Sequence, residues 1–383
     1  MPIISVFKIT MAFSDFLKKI GIGSTPDSVV GIDIGSSSIK VVQLKKERGV
    51  AKLETYGEVA LGPYAGMAVG QSTSLPPEKL VEAIKDLFKE VNINATSASL
   101  SVPLRASLLK LIEVPKIEER NLDQMVSLEA RKYIPVPITE VALDWMIVPS
   151  HEYSETQTSS MPTAEGEARK IPKMEVLIVA IHKSIISAYG EIINKLGLKA
   201  TPLEIETFSA SRANLSNELN AVAILDLGAS ASRLLIVDYG VAKASHVISK
   251  GAQDITLSLQ KSLGLSFAEA EEAKRRLGAI GKVEGGDLNA VISPTLEYIF
   301  YEAQKILIAY QKKYSRPITK VILTGGGAQL KGIVVLAKKE MEVEVEIGNS
   351  FKKIEVPAIM EKALAENGSG FGVAAGLALR GLQ

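Results

Sequence analysis

The sequence predicts an α/β protein of at least two lobes, and three observations predict it. A strand-turn-strand unit built around an Asp and a Gly occurs twice, about half a chain apart. Apolar, β-branched runs alternate with stretches of helical period from residue 29 onward. At 383 residues the chain is long enough for two or more domains with substantial cores.

The elements follow in order. Residues 1–27 form an N-terminal extension in which Phe13, Phe16, Leu17 and Ile20 mark one face of a short docking helix, with Lys18 and Lys19 beside it. The extension lacks the basic start, clean apolar segment and small-residue cleavage site of a secretory signal. Next comes VVGIDIGSSSIKVVQL, residues 29–44, which reads as a buried strand and its antiparallel return. Gly35 in the turn admits backbone angles closed to other residues, and Ser36, Ser37 and Ser38 add small donors. Such a tip can grip an anion, although many hairpins use Gly and Ser only to turn.

Residues 75–93 open on prolines and place Leu80, Val81, Ile84, Leu87 and Phe88 at helical spacing, a helix with one core face. Residues 97–115 read as strand. Residues 117–138 predict a second helix carrying Leu122, Met125, Val126 and Glu129 until Pro135 stops it. The polar, patternless stretch 151–173 is expected to be a mobile loop, after which strand, helix, turn and strand return.

Residues 221–238, AVAILDLGASASRLLIVD, repeat the first unit, with Asp226 and Gly228 standing as Asp33 and Gly35 do. Asp226 follows Asp33 by 193 positions, the spacing expected if two related lobes each lend one loop to a shared cleft. In AEAEEAKRRLG, residues 268–278, Glu271, Lys274 and Arg275 fall on adjacent turns of a helix, which by itself suits a solvated charged face. Residues 321–340 read as a strand, the run Gly325, Gly326, Gly327, and a helix whose first N–H groups face whatever lies above the glycines. The run is neither a Walker A loop, having no lysine followed by Ser or Thr, nor a GxGxxG fingerprint. Residues 368–382 predict a small-residue helix that can pack very closely on a neighbour.

Composition narrows the function. With 44 basic and 43 acidic residues there is no general electrostatic case for nucleic acid or a strongly anionic membrane. The absence of cysteine removes disulfides, thiolate nucleophiles and cysteine zinc sites, and fits a reducing compartment. His151, His182 and His246 are widely scattered, leaving little material for a histidine metal site or a Ser-His-Asp triad. No apolar run reaches the roughly 20 residues of a membrane span, so a soluble protein is expected.

Two Asp-Gly hairpins in separate halves, a glycine-rich strand-to-helix turn and a small-residue last helix resemble the actin, Hsp70 and sugar-kinase superfamily, in that order, over nearly the whole chain from Val29. The resemblance implies an actin-like ATPase fold, two lobes of duplicated ribonuclease-H-like domains with ATP and Mg2+ between them. It places Asp33 and Asp226 facing the magnesium through water. Gly35, Ser36, Ser37, Ser38 and Lys40 would hold phosphates, with Gly228, Ala229 and Ser230 closing the other side. Gly325, Gly326 and Gly327 would support the nucleoside, and Glu271, Lys274 and Arg275 would flank the adenosine. Electrostatics agrees, since two carboxylates beside a polyphosphate repel it unless a hard divalent cation sits between.

Within that superfamily, EARKYIPVPITEVALDW (129–145), IETFSASRA (205–213) and GVAAGLALRGL (372–382) resemble segments of the PilM family of type IV pilus assembly proteins, relatives of the division protein FtsA. This resemblance implies subdomain 1A over 28–106 and 181–220, an FtsA-like 1C insertion over 107–180, 2A over 221–252 and 318–383, and 2B over 253–317. It further implies a cytoplasmic protein, bound to the inner membrane only through partners, that docks the N-terminal peptide of PilN and links motor ATPases of the pilus machinery to the alignment complex. Homo-oligomerisation is left open. Glu206 matches the residue that positions the attacking water. Yet Ala229 and Ser230 stand where Hsp70-like proteins have glycines, and Arg233 where they have an acid, so slow or absent hydrolysis is expected. The alternatives are an FtsA-like division protein, expected to carry an amphipathic membrane-targeting helix beyond the last helix, and a small-molecule kinase, which needs an acceptor pocket with a catalytic base.

Overall fold

The computed structural model describes residues 27–383 apart from 117, 119–120, 149–171, 202, 217, 279–281 and 284–285. The helix expected within 1–27 and all but the last two residues of the loop expected over 151–173 lie outside the described residues; the strand that follows begins at Lys173.

Three larger sheets organise the described residues, and a fourth pairs only the short strands β13 (Lys282–Val283) and β14 (Gly286–Asp287). In the first, β1 (Ser28–Ile34), β2 (Ser38–Glu47) and β3 (Val50–Ala60) form a meander, and β4 (Ser97–Val102) joins β1 in parallel. Two short strands, β8 (Lys199–Ala200) and β9 (Glu204–Ile205), extend β4. Val30, Ile32, Ile39, Val41 and Leu100 point to one face, where Val81, Ile84 and Leu87 of the helix Pro77–Glu90 and Ile192 and Ile193 of the helix Lys183–Lys195 close the core. The periodicity read over 75–93 is the stripe that this helix buries.

The equivalent sheet of the second half runs β12 (Val241–Ile248), β11 (Ser232–Asp238), β10 (Ala221–Leu227), β15 (Ile318–Thr324) and β16 (Glu344–Ile347). Alternate residues of β10 and β11 serve different cores. Ala223, Leu225, Leu234 and Ile236 pack on the long helix Leu288–Tyr314 through Leu296, Ile299 and Phe300. Val222, Ile224, Leu235 and Val237 pack on the opposite face against Leu177, Val179 and Ile181. Both faces being covered, these strands read as unbroken apolar runs rather than alternating ones.

Those last three residues belong to an inserted three-stranded sheet of β5 (Ser107–Pro115), β7 (Lys173–His182) and β6 (Val141–Ile147), with β7 central. Two corrections to the sequence reading arise here. The stretch 97–115 is two strands, because Pro103 ends fully buried β4 and a 3-10 turn, Leu104–Ala106, sends β5 out of the first sheet. The helix expected over 117–138 is only Leu122–Ala130, since Pro135 and Pro137 drive the residues before them out of helical angles. Leu122, Val126 and Ala130, one turn apart each, are at most 1% exposed and form the insert's own core with Ile112, Val176 and Ile178.

Two more corrections concern the end of the chain. After the strand β15 the glycines enter a 3-10 turn, Gly326–Gln329, and the α-helix, Ile333–Met341, starts only after left-handed Gly332. The N–H groups above the glycines therefore belong to the 3-10 turn. The small-residue helix Gly372–Gly381, expected with the second lobe, returns to the first sheet. A Cβ on Gly31 of β1 would lie 2.1 Å from the Ala374 carbonyl oxygen, and one on Gly376 would lie 1.8 Å from the Ser209 carbonyl oxygen of the helix Glu206–Asn214. Only backbone contact fits there, which is why small residues fill this helix. Among the described residues no helix is long and apolar enough to cross a membrane.

Candidate functional site

The two hairpins are built alike. Asp33 pairs across the ladder with Lys40, and Asp226 with Arg233. Gly35 and Gly228 both follow the acid by two residues, and neither has a positive φ. Their need is close approach: a Cβ would lie 2.9 Å from the Ser38 carbonyl at the first tip and 2.7 Å from the Ala231 carbonyl at the second. Gly325 does occupy the left-handed region, φ 83°, and a side chain there would meet Asp226 Oδ1 at 2.2 Å. The glycine turn thus sits directly on the second hairpin.

One cavity of about 390 Å³ gathers these parts. It is lined by Asp33, Gly35, Ser36, Ser37, Ser38 and Lys40 from the first hairpin and by Asp226, Gly228 and Ala229 from the second. Gly325, Gly326 and Gly327 form part of the wall, as do Glu271, Lys274 and Arg275 of the helix Phe267–Leu277 and, deeper, Glu206 and Arg233. Ser230, of the second tip, is not in this lining.

Each charged group in the cleft has a partner. Lys40 Nζ lies 3.1 Å from Glu58 and donates to Ser38 Oγ at 2.9 Å. Glu271 accepts from Thr256 Oγ1 and Lys274 Nζ, both at 2.6 Å, and from Arg275 Nε at 2.7 Å. Burial works against the Glu271 carboxylate, but Lys274, Thr256 and Arg275 together hold its pKa below the ordinary value, while burial lowers that of Lys274. Glu271 and Lys274 are buried here, not part of the solvated face that their spacing alone suits.

At the closed end Arg233 Nε lies 2.5 Å from Glu206 Oε1, and its Nη1 lies 3.4 Å from Asp226 Oδ2. Glu206, 7% exposed, opens the helix Glu206–Asn214, and its Oε1 accepts from the backbone N–H of Leu104 at 2.7 Å. Burial pushes Glu206 up to about 7, against Arg233 and with help from the charge of Asp226. Asp33 is raised by burial as well, with Lys40 opposing and Asp226 adding, and it accepts from Ser101 Oγ at 3.1 Å. Three mutually repelling carboxylates therefore surround one guanidinium.

A loop after β3 reaches across the cleft. Thr73 N donates to the Ser36 carbonyl at 2.8 Å, Ser72 N donates to Gln253 Oε1 on the helix Ala252–Leu263, and Gly70, φ 87°, lies against the Glu271 carboxylate. Gly70, Gln253 and Glu58 line the cavity, and the sequence pattern does not mark them. The one available signal is the Gly- and Ser-rich composition of GPYAGMAVGQSTS.

A family model described as type IV pilus assembly protein PilM matches residues 31–382. The chain belongs to the PilM family. Its fold is shared with the PilM-PilN type IV pilus biogenesis complex, at a TM-score of 0.75 over 94% of this chain and 100% of that one, with 24% identity. It is also shared with the ethanolamine utilization protein EutJ from Carboxydothermus hydrogenoformans, at a TM-score of 0.53 and 16% identity over 95% and 93% of the two chains. Among curated relatives, the cell division protein FtsA of Bacillus subtilis (strain 168) is 21% identical over 361 residues, 84% of this chain and 78% of FtsA. FtsA of Enterococcus faecalis (strain ATCC 700802 / V583) is 24% identical over 355 residues, 83% and 78%. The chain is thus an FtsA-like protein of the PilM family of type IV pilus assembly.

Two of the three PilM-like segments are packing partners. Arg212, in 205–213, reaches Glu204 through Nη2 at 2.5 Å and the Gly376 carbonyl, in 372–382, through Nη1 at 3.3 Å. Together with the Ser209–Gly376 approach, this packs the two segments backbone to backbone.

Proposed function

We propose that this PilM-family protein is a cytoplasmic ATP-binding scaffold that docks the N-terminal tail of PilN and links motor components of the pilus machinery to the inner-membrane alignment complex. The carrying observation is that two hairpin tips from opposite lobes, each with a carboxylate, converge on one polar cavity large enough for a nucleotide. The phosphates lie between the tips, held by Gly35, Ser36, Ser37, Ser38 and Lys40 on one side and by Gly228 and Ala229 on the other, with Ser230 outside the lining and no contact to them. The adenosine lies between the Gly325–Gly327 turn and Glu271, Lys274 and Arg275.

Mg2+ fits this donor set. Among the described residues no three acidic or histidine side chains form a metal cage. Two carboxylates, Asp33 and Asp226, are however what Mg2+ uses when water and phosphate oxygens complete its octahedron. Bound there, the ion would neutralise phosphate charge. Glu206 would orient water only weakly while paired with Arg233, in keeping with slow or absent hydrolysis.

In this reading the insert from 107 to 180 is the 1C subdomain, and the PilN tail lies between it and the first lobe as an extended peptide. Leu122 and Val126 anchor the insert's own core and are not contacts for the peptide. Removing the whole insert would strip the covering that Leu177 and Val179 provide for the second sheet, so substitutions are the better probe. Leu128, 60% exposed, and Tyr133, 40% exposed, offer apolar surface on the insert.

The test is twofold. ATP with Mg2+ should raise the melting temperature of the full chain, and a fluorescent PilN N-terminal peptide should bind it, more weakly in Leu128→Glu with Tyr133→Ala. No shift with ATP removes the nucleotide half. No binding by the intact chain removes the partner half and turns attention to division-type partners.

A further inference from the structure

We infer that Arg233 reads the terminal phosphate of the nucleotide, so that the cleft distinguishes a triphosphate from a diphosphate through an arginine that exchanges Glu206 for that phosphate. The inference rests on the nucleotide reading above. It comes from where the guanidinium sits. Its Nη1 is so close to the second tip that a Cβ on Gly228 would lie 2.8 Å from it, and it also faces Asp226. Whatever is gripped between the tips and the two aspartates lies within reach of this group.

Another part of the lining, Glu271 with Lys274 and Arg275, is tied to Thr256 and, in the nucleotide reading above, is the nucleoside side. Arg233 and Glu206 form the deep end, where the last phosphate of the chain arrives. The guanidinium is held by Glu206 at 2.5 Å and loosely by Asp226 at 3.4 Å. A terminal phosphate, carrying more charge and three acceptor oxygens, is the stronger partner for a planar fork of donors. A diphosphate ends short of this position and leaves the Arg233–Glu206 pair in place.

The pair also joins the halves of the molecule. Arg233 lies on β11 of the second sheet; Glu206 heads a helix against the first sheet and holds the N–H of Leu104, the residue that opens the turn into the insert. Exchange at Arg233 therefore changes the charge beside the entrance to the insert.

Isothermal titration of the full chain with ATP and with ADP, both with Mg2+, tests this in wild type, Arg233→Gln, Arg233→Lys and Glu206→Gln, with melting curves recorded without nucleotide. Wild type should bind ATP at least about tenfold more tightly than ADP, as one charge-assisted contact allows. Arg233→Gln should bring the two affinities together, chiefly by weakening ATP, and Arg233→Lys should fall between. Glu206→Gln removes the rival anion and should widen the ATP/ADP ratio several-fold, the opposite sign. A merely structural ion pair would weaken both nucleotides alike in both variants. That result, or a wild type that binds both nucleotides equally, overturns the role of Arg233 and leaves the nucleotide site standing. If wild type binds neither nucleotide, the site itself falls. Should Arg233→Gln fail to fold, Arg233→Lys and Glu206→Gln decide by their opposite signs.

Discussion

The two hairpins start from the same pattern and end with different tasks. Each places a basic residue seven positions after its aspartate, directly across the ladder: Lys40 opposite Asp33, Arg233 opposite Asp226. Lys40 turns to Glu58 on the neighbouring strand β3, a half-exposed partner on its own lobe. Arg233 turns to Glu206, a buried partner on the opposite side of the cleft. A cation paired within one lobe adds charge to the cleft and little else, since such exposed pairs contribute at most about 1 kcal/mol. A cation paired across a buried cleft makes the two sides depend on each other, because breaking it leaves an uncompensated charge.

The largest effect that separates ligand binding from mere folding should come from the acids. Asp33→Ala and Asp226→Ala should each weaken ATP·Mg2+ by roughly a thousandfold, about 4 kcal/mol, and abolish its thermal stabilisation. If only one of them does so, the hairpins are not equivalent halves of a cradle. Next comes the frame that holds the hairpins in place. Gly376→Ala puts a methyl where the Ser209 carbonyl lies 1.8 Å from it, and should cost about 3 kcal/mol of stability in urea unfolding with the ATP/ADP ratio unchanged.

Titration probes the Arg233 side alone. Glu206 stands at about 7 in the folded chain against an ordinary 4.5. The folded state therefore holds the proton more tightly, and the stabilisation is complete below the unfolded pKa and lost as pH rises through the folded one. Beside burial, the charges of Asp226 and Asp33 raise this group, while Arg233 and the Leu104 N–H oppose them. Wild type should lose roughly 2 kcal/mol relative to Glu206→Gln between about pH 5 and 8, measured by urea unfolding at each pH. A flat difference would mean that the ion pair governs Glu206 at every pH. The smallest effect should fall on the first hairpin. Lys40→Gln should weaken ATP and ADP alike by about tenfold, about 1.4 kcal/mol, and a selective loss of ATP would assign phosphate reading to Lys40 instead.

Much of this was open to reading in the linear chain, for a physical reason: features set by local pattern survive without tertiary context. The repeated strand-turn-strand units, the apolar stripe of 75–93 and the small residues of 372–382 each state their own geometry through period, turn chemistry or size. Where tertiary contacts compete with local preference, the sequence was silent or misleading. Glu271 and Lys274 have the spacing of a solvated face and are buried only because Thr256 and Gly70 come to meet them from other elements. The break at Pro103 matters because the residues on its two sides enter different sheets. The last helix joins the first sheet because Gly31 and Gly376 leave room for its backbone there and nowhere that its own sequence could specify. Arg233 can be seen in the sequence only as a basic residue where an acid is expected. That it meets Glu206 is decided by two lobes closing on one cavity, a contact between positions 27 residues apart that no local pattern encodes.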